Sequence, residues 1–340
     1  MRFDTWLRVV LAGGGVLGAL IYAFILVIDP YQVVPFAPAL PRAPISTNQR
    51  FSYPAIARSA AFDSAVIGTS TMRLVDPARL ADGSDARFAN LAMNSATAYE
   101  QARMLELFMR HHPAARALVI GNDGTWCNRR PDVPQYTFRA FPEWMFDDDP
   151  WNDLLYLFND KALEDAVRMA EYLAGRREAK YRPDGYRDFT LDFGPRDPRA
   201  AHKRLFKARP RPAERGDAAP RLEHPNWRFP LLDRLAARIN ALPTDTRVVL
   251  VYPPVHDHYL QTMAVSMGEC KARAAGLLAG RHGLVTLDYM RPTALTRNED
   301  NFWDAVHTTS DVARMLEEDI RAVWRGETPP SPHVVSWRND

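Results

Sequence analysis

Hydrophobic positions fall into three patterns along this chain, and each predicts a different kind of element. From residue 9 to residue 28 (VVLAGGGVLGALIYAFILVI) twenty consecutive positions carry no charge. A helix of that length, at roughly 1.5 Å per residue, matches a hydrocarbon core of about 30 Å. Short apolar runs bounded by Gly, Asn, Asp or Pro follow at 65–67, 88–93, 117–120, 248–252 and 284–287, and runs this short with β-branched content read as buried strands. Helical periodicity marks 98–109, 151–173, 231–242, 259–278 and 312–324. Strands alternating with helices predict an α/β fold: a parallel sheet of about five strands with helices on both faces. Ligands collect at the carboxyl ends of such strands. The loops beginning at Gly68, Asn94, Gly121, Pro253 and Asp288 are therefore where chemistry is sought.

Charge gives the apolar run a direction. Arg2 and Arg8 precede it and the next basic residue is Arg42, so the positive-inside rule places residues 1–8 in the cytoplasm and the main domain outside; the expected setting is a single-pass inner-membrane protein with a periplasmic main domain. The run exceeds the about 7 to 15 residues of a signal-peptide core, which favours an uncleaved anchor. Residues 29–53 carry prolines at 30, 35, 38, 41 and 44 and predict an extended tether. One domain is expected over 54–330, with a tail over 331–340. Overall composition, 46% hydrophobic and 25% charged with a net charge of +2, is globular and gives no reason to propose nucleic acid. That balance hides residues 176–225, where fourteen Lys and Arg face eight Asp and Glu among seven prolines. Such a segment predicts a solvated basic insertion rather than core. Residues 126–158 are rich in aromatics and predict a packed subdomain with one or two rings reaching a cleft. Cys127 and Cys270 permit one disulfide without requiring it.

The candidate chemistry lies at the strand ends. Ser70, in Gly68-Thr69-Ser70, follows a glycine at a strand exit, where a nearby base makes a hydroxyl a nucleophile. Asp304 precedes His307 by three residues. In a tight loop this spacing lets the carboxylate take the imidazole Nδ1 proton and leaves Nε2 to accept one from serine.

These blocks resemble the SGNH or GDSL-type serine hydrolases, and among them the membrane-anchored, exported members linked to polysaccharide and cell-envelope acylation. Gly68-Thr69-Ser70 is similar to the nucleophile block, with Thr69 in place of its Asp. Asn90 to Thr97 is similar to the second block, with Ser95 where the family has a glycine whose N–H donates to the oxyanion. Ile120 to Gly124 is similar to the third block and puts Asn122 at the position whose side-chain amide is the second oxyanion donor, and Asp304 and His307 match the last. The resemblance implies a three-layer α/β/α fold and a Ser70, His307, Asp304 triad with oxyanion donors at Ser70, Ser95 and Asn122. It implies a serine esterase or O-acetyltransferase acting on an envelope or extracellular polysaccharide, with a membrane-bound O-acyltransferase as partner. Substrate contacts are expected at Arg73, Trp126, His258 and Trp303. Neither a cofactor nor a metal is called for: His256 and His258 lack a third ligand fixed by spacing, and Asp147 to Asp149 lack the alternation of a calcium loop. The competing expectation is a non-catalytic polysaccharide-binding or assembly subunit that keeps the fold, and Ser95 in the glycine position is its best support.

Overall fold

The structure, a computed structural model, describes residues 3–130, 133–207 and 224–339. Along the chain the helices are α1 (Phe3–Ile28), α2 (Gln49–Arg58), α3 (Pro77–Ala81), α4 (Ala98–His111), α5 (Asn152–Tyr156), α6 (Asp160–Leu173), α7 (Pro198–Leu205), α8 (Pro230–Asn240), α9 (Asp257–Leu260), α10 (Ala264–Leu278), α11 (Ala294–Arg297) and α12 (Ser310–Trp324). The strands are β1 (Ser64–Ile67), β2 (Phe88–Asn90), β3 (Ala117–Gly121), β4 (Arg247–Tyr252), β5 (Leu284–Asp288) and β6 (Val335–Asn339). Contacts divide the chain into two compact units, Met1–Ile56 with Ala140–Pro183, and Ala57–Arg139 with Asp184–Asp340.

The second unit holds a mixed α/β fold on one six-stranded sheet in the order β2-β1-β3-β4-β5-β6. The first five strands run parallel, and β6 pairs antiparallel with β5. Every residue of β1, β3 and β5 is buried. Because successive side chains point to opposite faces, both faces of the sheet centre are covered. Val66, Val119, Val249, Val251 and Leu287 share one core cluster with Leu316 and Ile320 of α12. Strand order reverses around β1: its neighbours are β2 on one side and β3 on the other. The loops leaving β1 and β3 therefore open a crevice at their carboxyl ends, the place such sheets use for ligands.

Residues read as the tail include the edge strand β6, whose side chains are mostly exposed. Without a buried apolar run there is no sequence signal for it, and the free edge of β5 supplies its partner. The predicted helix over 151–173 breaks at Asn159, whose side chain caps α6 by accepting the Ala162 N–H at 2.8 Å. That over 259–278 breaks between α9 and α10. Cys127 and Cys270 are bonded, joining the segment after β3 to α10.

Among the described residues one helix, α1 in the first unit, is long and apolar enough to cross a membrane. Residues 29–53 differ from an extended tether: Tyr31, Val33, Val34, Ala43 and Ile45 are buried and α2 begins at Gln49. Asp29 turns the chain, its carboxylate accepting the Val33 N–H at 3.0 Å. Arg42 donates to the Ile28 carbonyl at 2.7 Å and so satisfies an end of α1. Tyr31 donates to Asp165 of α6 at 3.1 Å. Prolines restrict the backbone here without preventing its side chains from packing. The aromatic segment 126–158 is divided, its later part lying in the first unit and its earlier part in the second.

Of the basic insertion, residues 208–223 lie outside the described residues. The described part is not a bare solvated loop, since Tyr181, Phe189, Thr190, Ala201 and Leu205 are buried. Asp188 and Asp197 cap short helical turns there, and these local apolar and capping signals were masked by the charge of the segment as a whole.

One buried acid ties α12 to the head of α3. The Glu317 carboxylate accepts the Asp76 N–H at 2.7 Å and lies 3.7 Å from Arg79 Nε. Burial pushes its pKa up to about 7, against the lowering pull of the Asp76 N–H and the Arg79 charge. The folded state holds this proton to higher pH than the unfolded chain, so stability must fall as pH rises from the ordinary glutamate range through about 7. Chemical unfolding from pH 5 to pH 8 is expected to show a loss of roughly 2 to 3 kcal/mol from this group. Glu317→Gln should flatten that decline; an unchanged profile in the variant would refute the assignment.

Candidate active site

The crevice between the loops after β1 and β3 is built around a close approach. A Cβ on Gly68 would lie 2.7 Å from Met72 Cγ, and one on Gly121 would lie 2.3 Å from the same atom. Met72 is fully buried. Its side chain occupies the space that two side chains would need, which explains why glycine ends one strand and follows the other. Polar contacts reinforce the junction. Thr69 donates to Asp123 Oδ2, Thr71 donates to the same oxygen at 3.3 Å, and Thr125 donates to Oδ1 at 2.6 Å. Asn90, buried at the end of β2, holds the chain beyond Ser70 by donating to the Met72 and Val75 carbonyls at 3.0 and 2.8 Å.

Ser70 thus begins a short 3-10 turn capped by Thr69. His307 Nε2 is 2.7 Å from Ser70 Oγ, and His307 Nδ1 is 2.7 Å from Asp304 Oδ2. With the proton on Nδ1, that nitrogen donates to Asp304 and Nε2 accepts from the serine hydroxyl. Asp304 Oδ1 accepts the N–H groups of Val306 and His307, both at 2.9 Å. The carboxylate closes its own loop in this way, a habit of Asp in turns. Burial raises the Asp304 pKa, but the His307 hydrogen bond and charge, with the two N–H groups, outweigh burial and hold it below the usual carboxylate range. Asp304 therefore remains an anion across neutral pH and favours the imidazolium that forms when His307 takes a proton.

Contacts from the basic insertion, unforeseen in the sequence, brace this loop. Arg196 donates to the Phe302 carbonyl at 3.1 Å, the Glu299 carbonyl at 2.6 Å and the Asp300 carboxylate at 2.9 Å. Phe189 meets the His307 ring edge-on at 5.7 Å. Asp188 accepts from Ser310, the first residue of α12, at 2.9 Å.

An open cleft of about 360 Å³ adjoins Ser70, with Thr69, Ser95, Asp123, Tyr259 and Met263 in its walls. Ser95 has φ +52°, in the left-handed region that glycine occupies without penalty. Among the described residues its N–H and that of Ser70 carry no hydrogen bond. Asn122, the expected side-chain oxyanion donor, is fully buried at the foot of the loop after β3; its Oδ1 accepts the Gly124 N–H at 3.3 Å, and among the described residues its Nδ2 has no hydrogen-bond partner. Asp123 is the residue that faces the cleft. The turn after Gly121 decides this, and residue spacing does not report it.

The expected substrate contacts also separate. Arg73 is buried, donates to Asn94 at 2.7 Å and sits over the Phe189 ring at 4.8 Å, so its charge is engaged within the fold. Trp126 is buried and donates to Gln101 at 3.2 Å. Trp303 is buried against Phe193. His258 packs on Phe206 at 4.8 Å, outside the cleft walls. The cleft residues that sequence reasoning missed, Asp123, Tyr259 and Met263, carry no motif of their own. The strand-end rule combined with hydroxyl-rich loops on either side of Asp123 was the available signal.

The Ser95 backbone provides a test of this geometry. Ser95→Gly should raise stability by about 1 kcal/mol, and Ser95→Val should lower it by at least as much, in urea unfolding. A stabilised valine variant would contradict the left-handed conformation.

Compared with known families, the chain matches no family model, and no curated protein matches it.

Proposed function

We propose that the protein is a membrane-anchored serine esterase or O-acetyltransferase of the SGNH type, with the three-layer α/β/α arrangement of that family, acting on acyl esters of an envelope or extracellular polysaccharide. The observation that carries this reading is the continuous relay from Ser70 Oγ through His307 to Asp304, with 2.7 Å at each step. His307 Nε2 takes the Ser70 proton as Oγ attacks the ester carbonyl. The N–H groups of Ser70 and Ser95 receive the oxyanion, a stabilisation worth about 10²- to 10³-fold in rate per donor. Collapse of the tetrahedral intermediate returns the proton to the leaving alcohol and leaves the acyl group on Ser70. Water or a sugar hydroxyl, deprotonated by His307, then accepts that acyl group and restores the serine. Asp123 in the cleft wall disfavours an anionic acyl group by like-charge repulsion, which supports a neutral acyl such as acetyl. Helix α1 serves as a single-pass anchor with a cytoplasmic amino terminus, and the catalytic unit works outside the inner membrane, beside a membrane-bound O-acyltransferase.

The test is covalent labelling of the detergent-solubilised full chain with a fluorophosphonate, alongside hydrolysis of aryl acetates. Labelling is expected at Ser70, is lost in Ser70→Ala, and turnover should fall by roughly 10⁴-fold or more in Ser70→Ala and His307→Ala. Folded protein that neither labels nor hydrolyses the esters would sink the enzyme reading and favour a polysaccharide-binding or assembly subunit.

A further inference from the structure

The first unit carries large apolar side chains that stay more than half exposed within it. Trp151 is 63% exposed, Leu155 81%, Tyr156 53%, Phe158 59% and Phe36 58%. They form one patch: Phe36 stacks with Trp151 at 6.4 Å, and α5 carries Leu155 and Tyr156 between Trp151 and Phe158. A cluster of this kind on a water-facing surface marks an interaction site.

Its place along α1 identifies the partner. Tyr22 donates to the Leu154 carbonyl at 2.7 Å and its ring meets Phe158 edge-on at 5.6 Å. A Cβ on Gly18 would lie 3.8 Å from the Phe158 ring. The patch thus joins α1 at Gly18 and Tyr22, while Ile28 ends the helix about 15 Å beyond Gly18. From Phe3 to Leu20 the large apolar residues of α1 are exposed, whereas Ile25 is fully buried within the unit. Fully exposed helix therefore gives way to helix partly covered by protein at the level where the patch begins, Ile25 facing the unit and Val27, 51% exposed, facing away from it.

We propose that residues 151–158, with Phe36, form a second membrane contact that sinks into the outer leaflet beside the anchor. Leu155 and Phe158 enter the acyl-chain boundary, and Trp151 and Tyr156 lie among the headgroups, where amphipathic rings are favoured. The insertion is shallow, about 5 to 10 Å, because a five-residue helix such as α5 leaves most of its own N–H and C=O groups without intrahelical partners, and hydrocarbon cannot satisfy them. The occupant is the lipid bilayer because the patch is continuous with the exposed apolar surface of α1. The outer boundary then falls near Tyr22, not at Ile28, and the last turns of α1 stand above the hydrocarbon. Trp6 and Tyr22 mark the two interfaces, roughly 24 Å apart along the helix. This inference rests on the reading of α1 as a membrane span and is independent of the catalytic reading.

Depth measurement on the full chain in dioleoylphosphatidylcholine nanodiscs tests it. Both native cysteines are bonded to each other, so single substitutions Leu11→Cys, Leu155→Cys, Phe158→Cys and Glu178→Cys take an environment-sensitive fluorophore selectively. Glu178 is an exposed charged residue of the same unit and reports water. Probes at 155 and 158 should be quenched by spin-labelled lipid about three-fold more than the probe at 178, and shielded from iodide. Leu155 is the more exposed position and tolerates the label if Phe158→Cys fails to fold. Quenching at 11 with water-like behaviour at 155 overturns the second contact while leaving the anchor standing. Water-like behaviour at 11 and 155 together overturns both.

Discussion

Met72 stands between Gly68 and Gly121 and fills the space that a side chain on either glycine would need. This packing constraint sets how closely the chain leaving β1 can approach the chain leaving β3. Once it is satisfied, the loop hydroxyls of Thr69 and Thr71 fall within reach of Asp123. A larger residue at either glycine forces Met72 out or the loops apart, and Ser70 lies only two residues from Met72 on the same short turn. The position of the proposed nucleophile is therefore a consequence of core packing beneath it, with hydrogen bonds fixing what packing allows.

The proposed base arrives from the other end of the chain by a different device. Asp304 orders its own loop by accepting two backbone N–H groups before it bonds the imidazole. This leaves the orientation of His307 largely local. Its placement against Ser70 is not local: it depends on α12 packing on the sheet and on Arg196 gripping the residues just before Asp304. A basic segment that looks like solvent-facing filler thereby braces the loop. Arg196 is not alone there, since His202 Nδ1 also meets the Glu299 carboxylate at 2.8 Å.

The apolar features of the first unit follow a separate logic. In the first unit, burial of Tyr31, Val33 and Val34 and capping by Arg42 turn the chain after α1 into folded structure. A folded connection holds residues 151–158 at a fixed level along the helix, which a flexible tether would not do. That is the physical basis on which a modest patch of rings acts as a depth marker.

The sequence by itself determined the apolar length of α1, the alternation of strands and helices, and the Asp304 to His307 spacing, because each depends on periodicity or on bonds within a few residues. Ser95 was legible as a departure, and its φ of +52° shows the backbone keeping a glycine-like form under a different side chain. Only the tertiary structure decided the Ser70 to His307 distance, the Cys127 to Cys270 bond, the edge strand β6, the Arg196 brace and the place of Asp123 in the cleft wall. These join residues far apart in the chain or turn on one local backbone rotation. Which side chain meets which is then set by how the whole sheet closes and packs, and no local pattern of residues encodes that.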